Sequence, residues 1–304
     1  PTATGKTALA IALAERLRAA TLARICEAVA ADSRQIYRQM DIATAKPNPA
    51  ERAQLPHHLL DVVNPDESYT LAQYQRDAQA AIAALHAQGK LPLLVGGTGL
   101  YVRAVVDGLA IPEVAPNPTL RAELEAQAAI EGAATLHTRL ATLDPAASTS
   151  IAPTNRRRVI RALEVCIVTG QPFSAQQGTR PTPYRALLIG LNMDRAALYV
   201  RADRRIDAMV SSGLVEETCT LVANGYGWEL PAMSSLGYRE IGAYLRGETT
   251  LAGATERFKL ATHAYIRRQL TWFRADARIH WLDAALPIAT LAAEAEALVM
   301  THAP

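Results

Sequence analysis

Residues 1–7 read Pro1-Thr2-Ala3-Thr4-Gly5-Lys6-Thr7, the last seven positions of the pattern G-x-x-x-x-G-K-S/T. Leu9, Leu13 and Leu17 follow along one helical face, so the stretch is a loop that opens directly into a helix. The order has a mechanical reason. Backbone N–H groups of such a loop curl around a phosphate, and the helix N-terminus adds partial positive charge. Thr2, Ala3, Thr4 and Gly5 form the curl, Lys6 reaches the phosphate oxygens, and the Thr7 hydroxyl is the expected Mg2+ ligand. The expected fold is therefore α/β, a parallel-sheet core of the P-loop NTPase type. The opening glycine of the pattern and the strand before it are absent. The sequence thus reads as a piece of a longer chain, and without that central strand it is expected to be strongly destabilised when expressed alone.

A phosphate loop says only that a di- or triphosphate binds, so the segments after it decide the chemistry. Ala28–Ala31 reads as a short buried strand, with Asp32-Ser33-Arg34-Gln35-Ile36-Tyr37 at its carboxyl end. Ligands bind at that edge of an open parallel sheet. Asp32 there could hold a metal, act as a general base or simply cap a helix. Met40–Pro47 and Pro56–Asp61 follow; neither has the ligand set of a zinc site. His57 and His58 suit packing or hydrogen bonding better than catalysis. Tyr69–Ala87 reads as a helix ended by Gly89, and Leu91–Val95 as a second buried strand running into Gly96-Gly97-Thr98-Gly99-Leu100-Tyr101. Nucleotide-hydrolysing relatives of the P-loop fold often place an acidic metal ligand at such a strand end. Glycines and the Thr98 hydroxyl instead let a ligand approach the backbone closely, unless the segment is a plain tight turn.

Farther along, Pro112–Pro118 reads as a linker, followed by helices at Thr119–Ile130 and Ala133–Leu143, a breaker at Asp144-Pro145 and a helix at Asn155–Thr169. Gly170–Pro183 is again loop-like, Ala186–Asn192 returns to strand character, and Ile288–Met300 reads as an amphipathic helix. The economical organisation is an α/β core, residues 1–115 and 185–304, interrupted by a helical insertion at 116–184. Half of the 304 residues are hydrophobic and a fifth charged, which excludes global disorder. A net charge of +2 permits a polyanionic partner without arguing for one. No run approaches the ~18 apolar residues of a membrane span, and no signal peptide is visible. A cytoplasmic protein without a membrane partner is expected. Cys26, Cys166 and Cys219 lie far apart and read as reduced, partly buried thiols. Arginines gather at 156–161, 201–205 and 267–274. Such runs are solvated helix faces or phosphate contacts; in the last, Trp272 and Phe273 add aromatic surface of the kind that takes looped RNA, or belong to the core.

The ordered series Pro1–Thr7, Asp32–Tyr37, Asp41–Pro47, Pro56–Asp61, Gly96–Tyr101, Arg158 with Arg161–Val165, Gly237–Glu240 and Arg267–Arg274 resembles the tRNA dimethylallyltransferase family over essentially the whole chain. The resemblance implies prenyl transfer from dimethylallyl diphosphate to an adenine in a tRNA anticodon loop, with Mg2+ as cofactor and the helical insertion on the anticodon stem-loop. It makes Asp32 the general base, Thr98 a donor to the leaving oxygen, and Arg205, with Arg201 beside it, a clamp on the diphosphate. The tRNA surface it implies comprises Asp32, Ser33, Arg34, Gln35, Thr98, Arg121, Arg157, Arg158, Val159, Ile160, Arg161, Ser234, Ser235, Leu236, Gly237, Tyr238 and Arg239. A monomer is expected. Ala43 stands where the family has glycine and His263 where arginine is expected, while Ser234 and Ser235 replace more varied residues. The competing readings are a P-loop kinase of a small metabolite, a prenyltransferase acting on free adenine nucleotides, and an RNA-binding module with a vestigial phosphate loop.

Overall fold

In the computed structural model, which describes residues 1–20 and 24–302, the chain leaves the phosphate loop through two left-handed residues, Ala3 (φ 62°) and Gly5 (φ 89°). Helix α1 (Lys6–Ala19) starts at once, burying Leu9, Leu13 and Leu17. Then come β1 (Cys26–Ala31), α2 (Pro49–Gln54), β2 (His57–His58), α3 (Leu71–Ala87), β3 (Leu91–Gly96), α4 (Gly99–Val106) and β4 (Leu109–Ala110). Four helices follow: α5 (Pro118–Glu131), α6 (Ala133–Leu143), α7 (Pro145–Ser150) and α8 (Arg156–Thr169). The chain ends through β5 (Gly178–Thr179), β6 (Leu188–Asn192), α9 (Arg195–Ser211), α10 (Leu214–Ala223), α11 (Tyr238–Leu245), α12 (Leu251–Arg274), β7 (Ile279–Asp283) and α13 (Ile288–His302).

The chain divides into two compact units. The first holds Pro1–Tyr69, Arg76–Val102 and Tyr184–Pro304; the second holds Thr70–Gln75 and Arg103–Pro183. In the first, β2, β1 and β3 form a parallel sheet in that order, and β6 pairs in parallel with β7. β1 is buried except at Glu27, but β3 is half-buried along its whole length because it is an edge strand of its sheet. One core joins Leu9, Leu13 and Leu17 of α1 to Ala28, Leu191, Leu291 and Ala295, so α13 packs its apolar face on α1 as an amphipathic helix should. A second core gathers Ile36, Met40, Leu214, Tyr238, Ile241 and Phe258 beneath the loop that follows β1.

In the second unit, helix starts follow capping chemistry. Asn117, Asp144 and Asn155 each accept a backbone N–H from three residues on, at 3.0, 2.9 and 3.3 Å. Asp144-Pro145 therefore ends α6 as expected and also starts α7, with proline at the first helical position. Besides Thr70–Gln75, this unit takes in the chain from Arg103 onward, ahead of the proline-rich segment. The reason is pairing: Leu109–Ala110 runs antiparallel to Gly178–Thr179, and the Gln75 amide donates to the carbonyls of Ala104 and Leu109.

The core of this unit holds a carboxylate. Glu164 of α8 is fully buried and accepts from Arg121 Nε and Nη2 (2.8 and 2.7 Å), from the Asn117 N–H (2.7 Å) and from Arg161 Nη1 (2.5 Å). Burial alone would raise its pKa; the hydrogen bonds from Arg121, Asn117 and Arg161 outweigh it and hold the group below the ordinary glutamate range. Replacing Glu164 with alanine leaves two guanidinium groups without their shared partner. Because Arg121 keeps 39% exposure, the loss of stability falls at the low end of that for broken buried pairs, about 3 kcal/mol. Urea unfolding should show it, and a wild-type midpoint would refute it. The depressed pKa also fixes the pH dependence. The stabilisation is complete above the ordinary value of 4.5 and is lost as pH falls through the lower native value.

Candidate active site

The site forms where β1 and β3 end. Their register sets Ala31 opposite Gly96, and the Thr98 N–H donates to the Ala31 carbonyl (3.1 Å). The segments after the two strands therefore emerge side by side. The Ser33 N–H donates to Thr98 Oγ1 (3.0 Å), and the Asp32 carboxylate turns its own loop by accepting from the Arg34 N–H (2.9 Å). Arg34 Nη1 donates to the Pro231 carbonyl (3.0 Å), and the Gln35 amide donates to the carbonyls of Thr44 and Ala45 (3.1 and 3.0 Å).

The phosphate loop and α9 supply the cations. Lys6 Nζ and the Thr4 hydroxyl both donate to the Pro1 carbonyl at 2.8 Å. Burial pulls the Lys6 ammonium down to about 8; Asp32 opposes that fall and Arg205 adds to it. Arg205 is likewise lowered, by burial and by Arg201, against the attraction of Asp32. Arg201 stands one turn before Arg205 on α9, and a methyl group on Gly5 would come within 3.3 Å of its Nη2. Ala3 packs with Leu198 and Ala202 of α9 and Ile266 and Leu270 of α12, which seats the loop against both helices. Lys6, Arg201, Arg205, Asp32 and Thr98 thus share one neighbourhood, a concentration of positive charge beside one carboxylate and one hydroxyl.

Thr2 departs from its expected part as a free amide. Its N–H is held by Gln269 Oε1 of α12 (2.8 Å). The same side chain donates to the Gly97 carbonyl (2.8 Å), so close that a methyl group on Gly97 would lie 2.3 Å from its Nε2. Trp272 comes equally close to Gly99, with its indole nitrogen 2.1 Å from where a methyl would stand. The glycines of this turn are thus demanded by side chains of α12.

The expected RNA-contacting residues differ in placement. Ser234 and Arg239 are exposed, whereas Ser235 and Tyr238 are buried, the Tyr238 hydroxyl donating to Glu217 (2.6 Å). Leu236 is half-buried. Gly237 (φ 90°) donates its N–H to Glu240, and a methyl there would lie 2.7 Å from Ala43 Cβ. The methyl of Ala43 is accommodated because residue 237 has none. In the second unit Arg157 and Arg158 are exposed, but Val159 and Ile160 turn into its core, and Arg121 and Arg161 are engaged with Glu164. His263, the other departure from the family pattern, pairs with Asp203 (2.7 Å) and stacks on Tyr199 with ring centroids 4.0 Å apart. His57 and His58 are hydrogen-bonded, to the Leu55 carbonyl and to Glu27 (2.6 Å each). Cys26 and Cys166 are buried and Cys219 is exposed.

Lys46 has a part that the sequence does not announce. Its ammonium is buried among the Tyr37 carbonyl (2.7 Å), Asp41 (2.5 Å) and Asp61 (2.6 Å), and Arg52 also donates to Asp61 (3.0 Å). These bonds staple the two loops behind Asp32–Tyr37, where Gln39, Ala45, Leu59 and Asp61 all adopt positive φ.

A phosphate loop opening α1, a parallel sheet, and a strand end bearing Gly97-Thr98-Gly99 where hydrolases carry an acid define a P-loop enzyme of the transferase kind. The chain belongs to the IPP transferase family, whose match covers residues 35–276. A tRNA dimethylallyltransferase of Roseiflexus sp. is 54% identical over 274 residues, 90% of this chain and 88% of that one. The crystal structure of the full-length tRNA isopentenylpyrophosphate transferase of Bacillus halodurans is 39% identical with a TM-score of 0.72, covering 99% of this chain and 94% of that one. A eukaryotic dimethylallyltransferase acting on tRNA superposes with a TM-score of 0.76 at 26% identity, over 93% of this chain and 72% of its own. Among the described residues no helix is long and apolar enough to cross a membrane, and no group of three or more His, Cys, Asp or Glu side chains could hold a metal.

Removing the Lys46 ammonium should loosen the loops it staples. Lys46→Met leaves Asp41 and Asp61 short of a partner and should cost about 1.5–3 kcal/mol, the range for hydrogen bonds to charged groups. Thermal melting measures it; an unchanged melting temperature would show that the staple contributes nothing.

Proposed function

We propose that this chain transfers a dimethylallyl group from dimethylallyl diphosphate to the exocyclic amine of the adenosine 3′ of the anticodon in tRNA, releasing diphosphate. The observation that carries the reading is the meeting of Lys6, Arg201 and Arg205 with Asp32 and Thr98 at the ends of β1 and β3. Family membership and the tRNA dimethylallyltransferases that it resembles support it.

An exocyclic adenine amine is a weak nucleophile because its lone pair is delocalised into the ring. As the bond from N6 to the allylic carbon forms, the bond from that carbon to the diphosphate oxygen breaks. The leaving oxygen gains charge, which Lys6, Arg201, Arg205 and the free loop amides offset, while the Thr98 hydroxyl donates to it. Asp32 accepts the proton that the amine sheds. The target base leaves the anticodon-loop stack to reach these groups, as enzymes acting on bases require. Ser33, Arg34, Gln35, Ser234 and Arg239 of the first unit are offered to the stem-loop; Arg157 and Arg158, exposed on the second unit, are candidates for contacts of that unit by itself.

The residues present fit Mg2+. The ion binds through one or two protein oxygens with substrate phosphates and water completing its shell, so it needs no carboxylate cage. The Thr7 hydroxyl stands in the first turn of α1 beside Lys6, and no hydrogen bond to another described residue occupies it. Mg2+ held there would neutralise diphosphate charge.

The decisive experiment incubates the full-length protein with unmodified tRNA, radiolabelled dimethylallyl diphosphate and Mg2+. Label should appear on the adenosine 3′ of the anticodon. No label, with ATP consumed alongside a small metabolite, would replace this reading with a kinase. Within the reaction, Asp32→Asn should lower kcat by about 10²–10⁴-fold, the range for loss of a general base, and leave tRNA affinity unchanged. Equal losses of binding and turnover would remove Asp32 from that role.

A further inference from the structure

Helix α12 meets the turn after β3 with three side chains spaced i, i+4 and i+7 along one face. Tyr265 stands beside the Thr98 side chain, Gln269 donates to the Gly97 carbonyl, and Trp272 lies against Gly99. Each residue of Gly97-Thr98-Gly99 therefore has its own partner on the helix. Gln269 also reaches the opposite wall, where its Oε1 accepts from the Thr2 N–H. Its amide is 5% exposed and joins two segments of backbone that have no strand pairing between them.

We propose that Gln269 is a positioning residue, one that fixes the phosphate loop relative to Thr98 so that a diphosphate held by the loop meets the Thr98 hydroxyl at one separation. The inference rests on the roles read above for Lys6 and Thr98. Its chemical basis is the polarity of the amide. The loop presents a donor, the Thr2 N–H, and the turn presents an acceptor, the Gly97 carbonyl, so the bridging side chain must accept at one end and donate at the other. Glutamine does both without charge. Leucine does neither and leaves the buried Gly97 carbonyl and the half-buried Thr2 N–H without this partner. Ionised glutamate accepts from Thr2 but sets a carboxylate oxygen against the Gly97 carbonyl. Protonated glutamate restores the pattern, with its carbonyl oxygen toward Thr2 and its O–H toward Gly97. Tyr265 complements the arrangement, its phenol pushed up to about 12 by burial and by Asp32, so it stays protonated beside Thr98 across the working pH range.

The test compares Gln269→Leu and Gln269→Glu with the wild type in the full-length protein, alongside Lys6→Met and Thr98→Ala. Gln269→Leu should lose about tenfold to a hundredfold in kcat/KM for dimethylallyl diphosphate, the scale of one buried backbone group, the Gly97 carbonyl, left unpaired, with KM for tRNA unchanged. Gln269→Glu keeps the volume of the native side chain and tests the proposal even if the leucine variant does not fold. Its activity relative to wild type should climb as pH falls and the introduced carboxyl gains a proton, whereas a purely structural part for residue 269 gives parallel pH profiles. Parallel profiles, or wild-type kcat/KM in both Gln269 variants, would overturn the proposal. If Lys6→Met and Thr98→Ala lose activity while the Gln269 variants do not, the positioning role alone fails. If those two also keep full activity, the reading of the site itself fails.

Discussion

The parallel register of β1 and β3 is the constraint on which the rest depends. With Ala31 opposite Gly96, the two strands end level, and Asp32 and Thr98 are delivered to the same edge without any long-range search. The backbone bond from Thr98 to Ala31 and the bond from the Ser33 N–H to Thr98 Oγ1 then extend the ladder one step beyond the sheet. A slip of one residue would exchange the faces of the strand and turn the site away. The glycines belong to the same constraint. Side chains at 97 or 99 would collide with Gln269 or Trp272, so the helix that closes the site can approach only where the strand end carries no Cβ.

That geometry has an electrostatic cost. Lys6, Arg201 and Arg205 converge beside Asp32, with Glu51 also acting on Arg205, and both Lys6 and Arg205 are pulled below their ordinary pKa values by burial first, with neighbouring cations adding to the fall. For Lys6 the sign is plain. A lysine whose folded value is about 8 destabilises the fold while charged, below that pH, and the penalty fades as pH rises from 8 toward the ordinary 10.5. An anion bound at the loop reverses the balance, since it favours the charged form of every one of these groups. The loop that carries Lys6 is seated by the packing of Ala3 between α9 and α12.

Much of this was legible in the sequence, and the reasons are specific. The leucine spacing after Thr7, the apolar runs at Ala28–Ala31 and Leu91–Val95, and the helical patterns at Thr119–Ile130, Ala133–Leu143 and Asn155–Thr169 are local signals, and the elements they announce lie within a few residues of where they were read. Asp144-Pro145, by contrast, reads in the sequence only as a breaker and in fact also starts α7. What was not legible is long-range. Nothing near Lys46 tells that its ammonium is buried between Asp41 and Asp61, because Asp61 is brought there by the parallel pairing of β2 with β1. Nothing near Gln269 tells that it meets Thr2, 267 positions away. The half-burial of β3 escaped for a similar cause: an apolar run predicts burial, but sheet order decides which strand stands at an edge. Val159 and Ile160 sit among arginines in sequence, yet the helical period turns them inward while Arg157 and Arg158 stay out.

Two of the departures from the family pattern, at residues 43 and 263, show how such a frame absorbs change. At residue 43 the extra methyl is met by Gly237, whose positive φ and missing Cβ leave room against Phe258. At residue 263 a histidine keeps a hydrogen bond to Asp203 while its ring lies flat on Tyr199. A guanidinium would also stack there, so the replacement preserves two interactions with a shorter side chain. Tyr199 in turn accepts from Arg267 at 3.2 Å, which ties α9 to α12 within one turn of Arg201. The contact between these two helices therefore carries polar groups as well as the apolar seat beneath Ala3. A change at residue 263 therefore acts on the seating of α9 against α12, through Asp203 and Tyr199, and not on Lys6, Asp32 or Thr98 directly.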